Sequence, residues 1–319
     1  MARNISLDLL KLVMAVMVVG LHGGFLSEVD QLASWLTVNG LFRIAVPVFL
    51  IINGYFFHDA LTAGRHWAWL RRVGALYILW MTFYFAYWID APAPLLVVYL
   101  VFGWYHLWYL PGIFGAALLL VAINRIWPQR TAHTTAIVVT AVTAFVVGVA
   151  IQYAGNYSLF EGLAHRLANI DQSHRNFLLF AFPFFSAGYL LKNCSLIEHF
   201  SAKTLVAMSA IGLASIFTES LLNFRFPAII GGLDNMFSLA LLAPSLFMLS
   251  FHLPLKGEHA KTIALISSGV YFVHPFFLDV FRTAFNDPAP TPMTVVVAFC
   301  SVLASVALLM VHRRLPWIL

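Results

Sequence analysis

The chain has 319 residues, of which 61% are hydrophobic and only 10% charged, with a mean hydropathy of +0.87. Soluble domains carry about a quarter charged residues, so this balance excludes an ordinary soluble enzyme and points to a polytopic membrane protein. The formal net charge of +5 is spread with no basic run longer than two residues, which excludes a nucleic-acid surface and fits helix anchoring beside anionic lipid.

Apolar runs near the length needed to cross about 30 Å of hydrocarbon recur at residues 7 to 26, 38 to 58, 72 to 89, 105 to 124, 134 to 153, 177 to 191, 204 to 222, 233 to 253, 263 to 283 and 293 to 311. They predict an all-α protein of about ten transmembrane helices. The apolar segment 92 to 104 and the short run 177 to 191 leave nine or eleven open. With the amino terminus inside, thirteen of the 18 Lys and Arg residues, Arg3 and Lys256 among them, fall at cytoplasmic ends. Arg43, Arg166, Arg175, Arg225 and Arg282 fall at the other side, which predicts both termini in the cytoplasm.

The first run follows a basic start, as a secretory signal would, but no small-residue cleavage site follows and Lys11 interrupts it. It reads as a retained helix carrying Asp8, Lys11 and His22. The eleven-residue step from Lys11 to His22 turns a helix about 1100°, about 20° off three full turns, and rises about 16 Å, so both side chains face one way. Lipid penalises such a stripe, which is expected to point into the protein. Ser27 to Gln31, with Glu28 and Asp30, reads as a short outer loop.

The second run holds Arg43 and then Pro47, Asn53, Gly54 and Tyr55. Proline frees a backbone carbonyl, glycine admits a close neighbour and asparagine brings donors and acceptors; a cavity-lining helix and ordinary helix packing both fit. The loop from His58 to Arg72 ends in Arg71-Arg72, a pair suited either to holding phosphate or to anchoring the helix in the inner leaflet. Gly103 to Gly112 crowds aromatic residues around His106; an interfacial belt explains the aromatics and leaves the histidine over.

The longest outer loop, Asn156 to Asn176, holds Glu161, His165, Arg166, Asp171, His174 and Arg175, and reads as a lid or as plain solvated loop. Between Asn223 and Asn235 the pair Gly231-Gly232 predicts a bend. The ninth run carries Tyr271 and then His274-Pro275, an intramembrane polar break. Cys194 and Cys300 form no disulfide framework. No repeat or low-complexity stretch appears, so residues 1–319 read as one transmembrane domain, closed by the anchor Arg313-Arg314-Leu315-Pro316-Trp317 without an appended soluble module.

Among the 12 histidines no two share a helical turn, and no Cys-x-x-Cys, nucleophile elbow or phosphate-cradling glycine loop occurs, so metal, covalent serine and nucleotide-hydrolysis chemistry lose support. What remains is a buried histidine on one helical face with a lysine. A neutral imidazole is a competent general base, for example to activate a hydroxyl for attack on a thioester, and cations at the inner mouth suit the phosphates of an acyl donor. A proton-coupled secondary transporter relaying protons through His22, His106 and His274 is the competing reading; few intramembrane carboxylates and no visible inverted repeat stand against it.

Leu7-Asp8-Leu9-Leu10-Lys11 followed by His22 resembles the opening signature of the acyltransferase-3 family of integral membrane acyltransferases. Val46-Pro47-Val48-Phe49 through Asn53-Gly54-Tyr55 is similar to its second-helix motif, His106-Leu107-Trp108-Tyr109-Leu110 to its His-Leu-Trp motif, and Tyr271-Phe272-Val273-His274 to its late Tyr-x-x-His. The four stand in the family's order and span nearly the whole chain. The resemblance implies transfer of an acyl group, often acetyl, from cytoplasmic acyl-CoA to a hydroxyl of a surface glycan or lipid-linked sugar in the bacterial inner membrane. His22 would be the catalytic base and Lys11 a donor-binding cation. Arg72 takes the second place of the family's Arg-x-x-Arg motif; Trp69 stands in the first, so that Arg71 substitutes. Asp8, Arg43, Asn53, Tyr55, His106, Trp108, Tyr271 and His274 are the second tier.

Overall fold

The computed structural model describes residues 5–225, 232–253, 255, 257, 259–315 and 317–319. Arg3, Gly231, Lys256 and Pro316, which the topology, the glycine bend and the terminal anchor invoke, lie outside them. Among the described residues the chain is helical throughout, without a strand. In order come α1 (Ile5–Gly23), α2 (Gln31–Val38), α3 (Ala45–Thr62), α4 (His66–Phe83), α5 (Phe85–Trp88), α6 (Ala93–Phe102), α7 (Tyr109–Ile126), α8 (Arg130–Asn156), α9 (Gly162–Ala168), α10 (Asp171–His174), α11 (Phe182–Asn193), α12 (Ala202–Phe224), α13 (Leu239–His252), α14 (Ala260–Phe285) and α15 (Pro290–His312).

Among the described residues seven helical stretches are long and apolar enough to cross a membrane: α1, α2 with α3, Tyr105–Ile126, α8, α12, α14 and α15. The runs expected at 72 to 89, 177 to 191 and 233 to 253 correspond to α4, Phe177–Asn193 and α13, which do not meet that standard among the described residues. Two of these runs differ from expectation for local reasons. Helix α4 stops at Phe83 because Tyr84 leaves helical geometry and is fully buried among aromatic neighbours, with its ring against Trp104 and His106. Helix α13 starts six residues late: the backbone N–H groups of Asp234 and Asn235 both donate to Gln152 Oε1, at 2.8 Å, which ties these two residues to α8.

The chain divides into two compact units, one of residues 1–49, 200–227 and 238–319 and the other of residues 50–199 and 228–237. In the first, α1 packs on α14 and α15, and α12 on α13. Its core gathers Ala15, Val19, Val270, Leu278, Met293 and Val297. Helix α15 is inverted relative to a soluble helix: Ser301 and Ser305 are fully buried, while Val295, Phe299, Leu303 and Met310 are more than half exposed. Small residues let helices approach and large apolar ones meet lipid, which is the pattern of a membrane span. Gly269 lies against Ser305 where α14 meets α15, and Gly212 against Leu242 where α12 meets α13.

In the second unit, α7, α8 and α11 pack together with the wide turn Phe177–Ala181. Gly54 of α3 lies against the backbone carbonyl of Phe185, and Gly188 of α11 against that of Ile51, so the two glycines form a mutual backbone contact. Close packing therefore explains Gly54. Pro47 is accounted for by position, because it occupies the first turn of α3, where its missing N–H has no helical partner to lose.

A methyl at Gly54 has only the α11 backbone to displace. Gly54→Ala is expected to destabilise the protein by about 2 kcal/mol. Gly74→Ala, with nothing nearer than 3.9 Å, should be neutral or slightly stabilising. Thermal unfolding of the detergent-solubilised variants checks the contrast.

Candidate active site

In the first unit, the opening and closing motifs meet. His22, at the end of α1, stacks on His274 of α14 with ring centroids 5.3 Å apart and planes 26° from parallel, and Tyr271 lies 6.3 Å from His274 on the other motif position. His274 is fully buried. Its Nδ1 lies 2.8 Å from the Tyr271 carbonyl and 3.1 Å from that of Val270. Carbonyls only accept, so Nδ1 carries a hydrogen. The next residue, Pro275, has no N–H to give to Tyr271, its partner four residues back. The imidazole of His274 supplies the missing donor. The polar break expected at His274-Pro275 is therefore absent: α14 runs unbroken from Ala260 to Phe285.

The backbone carbonyl of His22 accepts from Arg282 at 3.0 Å, which holds the end of α1. At the other end Asp8 is buried and its Oδ1 accepts from Lys11 Nζ at 3.1 Å, one turn along. The Lys11 carbonyl accepts from Ser267 at 2.8 Å. Arg43 caps the carboxyl end of α2, donating to Val38 O at 3.1 Å and to Asn39 Oδ1 at 2.6 Å, where the helix dipole favours a cation.

The middle two motifs meet in the second unit. Asn53 Nδ2 donates to the hydroxyl of Tyr109, which is buried, at 2.7 Å. Tyr55 lies under the ammonium of Lys192, 4.7 Å from its ring centroid, and Lys192 also pairs with Asp59 at 2.6 Å. His106 is buried with its ring edge-on to Tyr84. Trp108 packs on Phe180 and carries the guanidinium of Arg175 over its face at 5.2 Å; Arg175 in turn pairs with Asp171 and Asp234. Arg71 and Arg72 are exposed on the first turns of α4. Trp69, in contrast, packs edge-on against Phe57 and against Phe185, so that place in the Arg-x-x-Arg pattern serves the core.

Sequence reasoning singled out neither Tyr109, Arg282 nor Lys192 as a site residue. Tyr109 lay inside a quoted motif and was legible in principle; Arg282 and Lys192 act on partners 260 and 133 residues distant, which no local pattern reveals. Outside the spans, burial pushes the Glu28 carboxyl up, but hydrogen bonds from its own backbone and from Thr291 together hold it below its ordinary range. Among the described residues no group of three or more His, Cys, Asp or Glu side chains could hold a metal ion, and both cysteines are free.

Among known proteins, the model of one family, described as an acyltransferase domain, matches residues 4–311, essentially the whole chain. No curated protein and no solved structure matches.

The Asn53–Tyr109 bond joins two motifs through one buried hydroxyl. Tyr109→Phe is expected to lower stability by about 1 kcal/mol. A double-mutant cycle with Asn53→Ala should give a coupling of similar size, read from thermal unfolding; independent effects would mean that the bond contributes nothing.

Proposed function

The chain belongs to the acyltransferase-3 family of membrane acyltransferases, and from that premise we propose that it moves an acetyl group from cytoplasmic acetyl-CoA to a hydroxyl of a surface glycan or lipid-linked sugar. The observation that carries the reading is the His22–His274 stack at one end of α1, with the Asp8–Lys11 pair at the other end of the same helix. In this reading both termini are cytoplasmic, about ten helices cross the bacterial inner membrane, and the Lys11 end of α1 faces the donor.

His22 is the base. Its imidazole takes the proton of the acceptor hydroxyl as that oxygen bonds to the thioester carbonyl, giving a tetrahedral intermediate. Collapse breaks the carbon–sulfur bond, and the imidazolium returns the proton to the departing CoA sulfur. His274, held by its Tyr271 and Val270 carbonyls, fixes the plane of the His22 ring. Lys11, Arg71 and Arg72 supply cations for the donor phosphates; the packing of Trp69 supports giving the place of the missing arginine to Arg71.

His22→Ala is expected to reduce glycan-dependent thiol release at least 100-fold while donor binding and thermal stability persist. Release at the wild-type rate would overturn the assignment of His22. Removing Lys11 alone would leave Asp8 buried without its cation, so the donor test uses Asp8→Asn with Lys11→Ala. That pair should raise the KM for acetyl-CoA about tenfold and leave the acceptor KM in place. Equal rises for both substrates would place Lys11 outside the donor site. Uptake of solute by proteoliposomes under a proton gradient, with no need for CoA, would favour a transporter instead.

A further inference from the structure

A groove of about 350 Å³ lies in the first unit, just beyond the His22 end of α1. Ser27, only five residues after His22, lines it together with Gln31, Ser34, Trp35, Asn39 and Phe224. Its size is at the lower end of small-molecule sites, enough for one or two sugar rings. The walls are firm. The turn leading into α2 is pinned to the start of α15, with Leu26 N–H donating to the Thr291 hydroxyl at 2.8 Å and Thr291 N–H to Glu28 at 2.9 Å. The Trp35 indole N–H donates to Ser220 O at 2.9 Å, and its ring lies 6.0 Å from that of Phe224.

The lining has a definite chemistry. Gln31, Ser34 and Ser27 bring an amide and two hydroxyls, each both donor and acceptor, and none has a side-chain hydrogen bond among the described residues. Trp35 adds an aromatic face whose own polar atom is already spent on Ser220. Among the described residues no ionisable side chain lines the groove. An apolar ring face beside paired donors and acceptors matches a pyranose, which presents C–H bonds on one face and hydroxyls around its rim. The lack of charge selects a neutral sugar over a uronic or sialic acid.

We infer that this groove seats a neutral sugar residue of the acceptor, an inference that rests on the acyl-transfer reading for its purpose but not for its chemistry. Arg43, by holding Asn39, is then a positioning residue for the groove.

Purified full-length protein in phospholipid nanodiscs free of glycoside detergent is titrated with methyl glucoside, methyl galactoside, methyl rhamnoside and, for charge, methyl glucuronide, with binding followed by saturation-transfer NMR. At least one neutral glycoside should give a signal that falls fivefold or more in Gln31→Ala and Ser34→Ala. Those two residues are at the surface of α2, so the fold should survive; Trp35→Phe should keep part of the signal that Trp35→Ala loses. Unchanged signals in the Gln31 and Ser34 variants, no signal from any neutral glycoside, or a stronger one from the glucuronide would each overturn the proposal. Thiol release separates it from the function: turnover with an unaltered acceptor KM in the groove variants sinks the groove and keeps the enzyme. Glycoside binding lost with the variants, in a wild type that never releases thiol, keeps the groove and sinks the acyl transfer.

Discussion

The carbonyl of Tyr271 is the constraint on which the site depends. It lies in an apolar helix four residues before a proline, where water cannot reach and the backbone offers no donor. A bare carbonyl in such surroundings costs several kcal/mol, enough to bend or break the helix. His274 answers it with its own Nδ1–H at 2.8 Å. One bond thus keeps α14 continuous past Pro275, sets the hydrogen on Nδ1 and fixes the plane of the imidazole. That plane is the surface on which His22 stacks. The Tyr-x-x-His motif is intelligible in these terms: its histidine is a backbone group by function, satisfying a carbonyl, before it is a neighbour of His22.

The Asp8–Lys11 pair shows the same economy at the opposite end of α1. A lysine in an apolar helix is expensive, and a buried carboxylate more so; one turn apart they neutralise each other. A donor phosphate approaching Lys11 meets a cation that already has a counter-ion. Its attraction is the difference between two pairings, aided by the ammonium's three N–H groups, which can serve a carboxylate and a phosphate together. In the proposed donor site Asp8 would then tune binding as much as Lys11.

Much of the architecture was legible because membrane physics leaves little choice. Seven of the expected apolar runs are helices of spanning length and hydropathy, and the inward face of α15 is small and polar as lipid packing demands. The loop ending at Gln31 and the run starting at 38 leave residues 32–37 unassigned, though the signal of helix α2 is present: Asp30 accepts from the N–H of Ala33 at 2.7 Å, an N-cap that the sequence displays openly. Three features could not be read. The use of His274 against Pro275 depends on a rotamer, the bonds of Asp234 and Asn235 before α13 on the distant Gln152, and the packing of Trp69 on a helix 116 residues further along, at Phe185. Each is a tertiary contact overriding a local rule.

Helix α2 itself completes the picture of how the His22 end is built. Eight residues with none buried cannot hold a helix in isolation, where the nucleation cost exceeds the few bonds gained. Its persistence comes from polar tethers: Asp30 at its start, Arg43 on Val38 and Asn39 at its end, and Trp35 on Ser220 along its flank. Two of those tethers end on residues that line the groove, so the groove is rigid to the degree that α2 is formed. Helix α1 then separates two chemistries along about 16 Å of rise, a charged pair at one end and, beyond His22, an uncharged polar wall at the other. The proposed donor, rich in phosphate, and the proposed acceptor, a hydroxyl-bearing sugar, differ in the same respect, so a single helix with these two ends would need no moving part to tell them apart.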